Sequence, residues 1–204
     1  MNKGRWLRLM DYWKWNENIS QFENLISLHS QKHRKYHNGS HVEDCLLQLD
    51  SVKNIDPDIY FPLELSFWFH DAIYNPYKKN NELKSAELGE QFLIDNHATA
   101  DFRRTIWNLI LITKHVETPQ SYAQSLMMDI DVSILGRDPE RYHTYAKQIR
   151  NEYKWVPWII YKNKRKAILS HFLERSRIYD TKDFYDQYED QARDNLKKEL
   201  ETLT

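Results

Sequence analysis

Glycine is scarce in this chain, four in 204 residues, and proline reaches only six. Such a sequence has little material for long irregular loops or flexible linkers. Its single cysteine, Cys45, excludes an internal disulfide and any cysteine-rich zinc site, and it suits a reducing compartment. No stretch approaches 18 uncharged apolar residues, the length that would suggest a membrane span. The opening MNKGRWLRLMDYWKW lacks the apolar core of a signal peptide. An excess of one charge is missing as well. Lysine and arginine total 29 against 30 acids, a net charge of −1, so no overall field recruits nucleic acid or a membrane. The expectation is a cytoplasmic protein with neither membrane nor specific nucleic acid as partner.

Aromatic residues are plentiful, with 7 Trp and 13 Tyr. They suit a packed core, for which a single domain over residues 1–204 is long enough. The apolar pattern is helical nearly throughout, and no run alternates cleanly enough for a strand. Ile19, Phe22, Ile26, His29 and His33 share one face of a helix over about 16–36. Asn38-Gly39 stops it, and Ser40 with Glu43 reads as the capping box of the next. Pro62 suits the first turn of a third helix, which Pro76 closes. Further helices are expected over about 82–96, from Thr99 or Asp101 to Thr113, from Pro119 to Leu135 with Gly136 in the C′ position, over about 138–155, 157–176 and 183–203. The expected fold is an all-α bundle, with a core over about 16–155 and a helical C-terminal part over about 156–204.

Within PLELSFWFHDAIYNP, residues 62–76, His70 and Asp71 stand side by side in one of the most apolar stretches of the chain. A charged carboxylate there is costly unless a metal ion, an arginine or a lysine pairs with it. His33, His37 and His41 are each four apart, a metal-binding spacing on a continuous helix. The Asn38-Gly39 break argues against that continuity, and His41 then opens its own helix. Asp129 and Asp131 interrupt a second apolar segment. Two residues apart on a helix they diverge by about 200°, so only one faces a given site. The other then pairs with a cation or a further donor.

Taken in order, His41, His70-Asp71 and Asp131 resemble the H…HD…D signature of the HD superfamily of metal-dependent phosphohydrolases. More narrowly, the chain is similar to a small bacterial branch of predicted HD hydrolases. The marks are RKYHNGSH (Arg34–His41), FWFHDAIYN (Phe67–Asn75), NNELKSA (Asn80–Ala86), DIDVSILG (Asp129–Gly136), IRNEY (Ile149–Tyr153) and NKRKAILSHFL after it. Together they run from about Trp13 to Leu196. The resemblance implies an HD-type bundle in which His41, His70, Asp71 and Asp131 bind one divalent ion. That mixed nitrogen and oxygen set suits Mn²⁺, Fe²⁺, Co²⁺, Ni²⁺ or Zn²⁺, with Mg²⁺ also possible, better than Ca²⁺.

Asp71, His115 and Glu82 are the catalytic candidates. His37, Arg34, Lys114, Arg150 and Arg165 are candidates for contact with a substrate phosphate, since phosphoryl transfer needs cations beyond the metal. The implied activity is metal-activated hydrolysis of a nucleotide or another small phosphate ester. The alternative is a regulatory module that binds metal and nucleotide without turnover. A third reading, a helical interaction protein with structural His and Asp residues, is disfavoured by the complete ligand set.

Overall fold

A computed structural model describes residues 1–203, and among these the secondary structure is helical throughout, with no strand. Ten α-helices follow one another: α1 Lys3–Tyr12, α2 Ile19–His29, α3 Gly39–Ser51, α4 Pro57–Phe69, α5 Asn81–Asp95, α6 Ala100–Ile112, α7 Tyr122–Asp131, α8 Pro139–Glu152, α9 Trp158–Glu174 and α10 Lys182–Thr202. A 3-10 turn, Ser133–Gly136, follows α7. The all-α expectation is met. The chain divides into two compact units, Met1–Met127 and Met128–Thr204, so the division falls inside α7 rather than near residue 155.

The first unit is organised around α4. Every residue from Pro62 to His70 is buried, so the C-terminal two-thirds of this helix presents no solvent face. It packs against α1, α3, α5 and α6. Aromatic rings fill the space between them. Trp6 of α1 meets Trp68 edge-on at 5.3 Å and lies 5.7 Å from Phe92, which in turn lies 5.2 Å from Phe69. Such tilted and edge-on pairs are the favoured arrangements for aromatic quadrupoles. Gly89 lets α5 approach closely, since a β-carbon there would sit 3.2 Å from Ile110 Cδ1. Arg5 ties α1 to its neighbours through Asp50 at 2.7 and 2.9 Å, Tyr60 at 2.9 Å and the buried Glu64.

Several helix ends differ from expectation, each for a local reason. Helix α1 was not foreseen, although Trp6, Leu9 and Met10 carry a helical apolar pattern. Helix α2 stops at His29 instead of running to about residue 36, and the Ser30 hydroxyl turns back to the Ile26 carbonyl at 2.7 Å. Helix α3 is capped by Asn38, whose side chain accepts from Ser40 N at 2.9 Å, so Ser40 is not the cap. Helix α4 starts at Pro57 behind an Asp56 cap, which leaves Pro62 inside the helix. The carbonyl deprived of its partner belongs to Asp58, which is exposed and can turn to water.

In the second unit α10 packs on α9 and on the 3-10 turn, and α8 packs on the same turn. Arg165, buried on α9, forks onto Glu199 of α10 at 2.8 and 2.9 Å. Asn195 donates to the Leu135 and Arg137 carbonyls, both at 2.8 Å. Gly136 does not end α7 as a left-handed C′ residue. It closes the 3-10 turn and no glycine has positive φ. Glycine is needed there for contact, since a β-carbon would lie 2.4 Å from Tyr188 Cβ and 2.6 Å from its carbonyl oxygen. Gly136→Ala is therefore expected to destabilise the protein by about 1–3 kcal/mol, the usual cost of overpacking. A thermal melt in which this variant matches the parent would count against that contact.

Candidate metal centre

His70 caps the C-terminal end of α4 and Asp71 follows it, so the pair sits at the end of the buried helix rather than within it. The backbone N–H of His70 donates to the Ser66 carbonyl at 2.8 Å, and its Nδ1 lies 3.0 Å from the Phe67 carbonyl. A carbonyl only accepts, so Nδ1 carries a proton and Nε2 is the ring nitrogen turned toward the site. Across from it, in the first turn of α3, His41 brings its Nε2 to 3.1 Å. Asp71 Oδ2 completes a triangle, 3.3 Å from His70 Nε2 and 3.7 Å from His41 Nε2. Burial pushes the Asp71 carboxyl up, but the His70, His37 and His41 imidazoles overcome this and hold it well below the usual carboxylate range.

Three electron-rich atoms converge here with almost no water around them. Such an arrangement needs a proton or a cation among them. The dimensions fit a cation: sides of 3.1, 3.3 and 3.7 Å give a circumradius of about 2.0 Å, and transition-metal bonds to imidazole and carboxylate run ~2.0–2.2 Å. One atom each from His41, Cys45 and His70 also lie within 4.8 Å of one another, as in a group able to hold a metal ion. Asp131 is the last residue of α7.

Cys45 is the member of that group that the sequence reading missed as a ligand. It lies four residues after His41 on α3, hence on the same face, and its Sγ is 3.8 Å from both ring nitrogens of His41. Asp71 falls outside that group, yet its oxygen approaches both imidazoles.

Arg34, expected to meet a substrate phosphate, does something else. It is buried, with Nη1 donating to the carbonyls of His37 at 3.0 Å and Asp71 at 2.6 Å, and Nη2 to that of Ala72 at 2.8 Å. It fixes the backbone on both sides of the site. His37 stands half-exposed beside it, stacked on Tyr74 at 4.3 Å with its ring 6.1 Å from that of His41. His33 is exposed and hydrogen-bonded to the Tyr74 carbonyl at 2.8 Å.

The remaining candidates are placed as follows. His115 adopts φ 57° just beyond α6, a helix-ending conformation, and Lys114 beside it is exposed. Glu82 occupies the first turn of α5, where an acid complements the helix N-terminus. In the second unit Arg165 is paired with Glu199, and Arg150 donates to the Tyr153 carbonyl at 2.6 Å while lying over the Tyr161 ring. Both guanidinium groups hold helices together.

Asp129 is also in the second unit, 1% exposed, and accepts from Asp180 N at 2.8 Å, Thr181 N at 2.7 Å and Thr181 Oγ1 at 2.6 Å. Of the two expected partners, a cation or a further donor, it has donors, from backbone and hydroxyl, and burial still pushes its carboxyl up to about 6. It anchors the start of α10. Asp129→Asn is expected to lower the melting temperature, since an amide nitrogen would face an N–H donor, and to leave metal uptake intact. Asp131→Asn is expected to lower metal affinity instead. Metal titration and thermal melts of the two variants separate these roles, and the opposite order would exchange them.

Comparison with known proteins returned no matching family model, no matching curated protein and no matching solved structure.

Proposed function

We propose that the protein is a metal-dependent hydrolase of small phosphate esters, a nucleotide or a related compound, with its centre at His41, His70, Asp71 and Asp131. The observation that carries this reading is the convergence of His41 Nε2, His70 Nε2 and Asp71 Oδ2 on one point. The ordered H…HD…D resemblance supplies the reaction class.

A divalent ion held there would polarise a phosphoryl oxygen and acidify water at neutral pH. The chain's own residues do the positioning. Phe67 holds His70 in the tautomer that turns Nε2 inward. Arg34 fixes the carbonyls of His37, Asp71 and Ala72, so the loop after α4 cannot drift from α3. His37, on the half-exposed rim, is placed to donate to a phosphate oxygen. Cys45 adds a soft donor beside His41, which favours Zn²⁺, Co²⁺ or Ni²⁺ over Mg²⁺.

The test is elemental analysis of purified protein, followed by phosphate release from a panel of nucleotides with Mn²⁺, Co²⁺, Ni²⁺, Zn²⁺ or Mg²⁺ added. The expected outcome is about one ion per chain and turnover of at least one phosphate ester. Asp71→Ala should abolish turnover while keeping the helical far-ultraviolet signal. Turnover that survives Asp71→Ala undiminished in metal-free protein would place the chemistry elsewhere. Metal binding with no turnover on any substrate would favour the regulatory module.

Arg34→Lys should keep a buried charge but lose the fork that reaches three carbonyls. Metal affinity is expected to fall by about 10–100-fold, the usual effect of removing a group that orients a ligand. Unchanged affinity in an isothermal titration would assign Arg34 a folding role alone.

A further inference from the structure

Residues 141–173 hold eight lysines and arginines against one acid, Glu152, and that acid is buried. The same stretch exposes Trp155, Trp158, Ile159, Ile160 and Ile168. Trp158 opens α9, 52% exposed, and Ile159 and Ile160 follow at 60% and 46%. Consecutive helical residues are about 100° apart, so these three wrap roughly 200° of the first turn instead of forming one stripe. They make an apolar tip. Lys154 precedes it and Lys162, Lys164 and Lys166 follow in the next turns, with Lys154 and Lys164 exposed.

A cavity of about 340 Å³ opens beside the tip, lined in part by Trp158, Tyr161, Lys147, Lys198 and Glu199. Glu199 is neutralised by Arg165. Among the described residues neither Lys147 nor Lys198 has an acidic partner, so the cavity is cationic. Arg150 packs between the cavity and the tip, over the rings of Trp158 at 5.6 Å and Tyr161 at 4.7 Å. The tryptophan is therefore held in place while half of it faces solvent.

We propose that this end of the second unit docks on an anionic lipid bilayer. Trp158, Ile159 and Ile160 enter the headgroup boundary, and Lys147, Lys154, Lys164 and Lys198 meet lipid phosphates. Charge decides against a second copy as occupant, because pairing this face with itself opposes lysine with lysine. Shape decides against an acidic protein partner. A groove or helix would need a one-sided apolar stripe, whereas a bilayer accepts an apolar tip that wraps about 200° of a turn. Tryptophan beside lysine is the combination that suits the boundary between hydrocarbon and water. Among the described residues no helix is long and apolar enough to cross a membrane, and the proposed contact is peripheral.

The test uses the full chain sedimented with vesicles of phosphatidylcholine alone or mixed with phosphatidylglycerol, together with tryptophan emission. Binding is expected to the mixed vesicles only, with a blue shift and weakening by salt. Ile159→Ser with Ile160→Ser, and separately Lys154→Glu with Lys164→Glu, should each reduce partitioning at least roughly tenfold while preserving the far-ultraviolet signal. Free glycerol phosphate should not compete. Absent binding to the anionic vesicles, equal binding to both kinds, or binding that either double variant retains in full would overturn the proposal. So would a dimer that forms through the tip without vesicle binding.

Discussion

The centre depends on one electrostatic constraint: two imidazole nitrogens and a carboxylate oxygen face each other at the buried C-terminal end of α4. In water each would be hydrated separately. At the end of α4 they are surrounded by Leu, Phe and Trp side chains, and the helix C-terminus adds further negative potential from its unpaired carbonyls. Everything near the site answers that concentration of negative character. The three carbonyls of His37, Asp71 and Ala72 are met by Arg34, and the Asp71 side chain is met by histidines on two helices. A proton or a small cation would relieve the rest.

The aromatic core is what makes the geometry repeatable. Trp6, Trp68, Phe69 and Phe92 are flat, stiff groups with few rotamers, and they lock α4 against α1 and α5 just before the site begins. Gly89 removes the one side chain that would hold α5 away. Position is thus set by packing, and charge is then balanced locally by a single guanidinium.

Much of the architecture was legible in the sequence because helical periodicity survives tertiary packing. The helices from α2 onward were placed near their true positions, and the His41, His70 and Asp71 set was identifiable from order and context. What escaped was local competition. Asn38 rather than Ser40 caps α3, since both can accept a backbone N–H and only the fold chooses. Pro62 sits inside α4 because the carbonyl it orphans is at the exposed end. Gly136 answers a contact with Tyr188, 52 residues away in sequence, that no local pattern records. Cys45 was read only as excluding a disulfide and a cysteine-rich zinc site, and Arg34 as a candidate for contact with a substrate phosphate, whereas their surroundings are set by the fold. The balanced total charge likewise concealed a basic segment, because a sum carries no positions.

The Arg34 clamp has a consequence for how the centre is assembled. It joins the turn before α3 to the loop after α4 through backbone carbonyls, which exist whatever occupies the site. The scaffold therefore does not rely on an ion to bring its ligands together, unlike small zinc domains whose folding free energy is metal-binding free energy. An ion held there would be able to leave and return without unravelling the helices. Its identity would then be a matter of supply and exchange over the protein's lifetime, not a choice made once during folding.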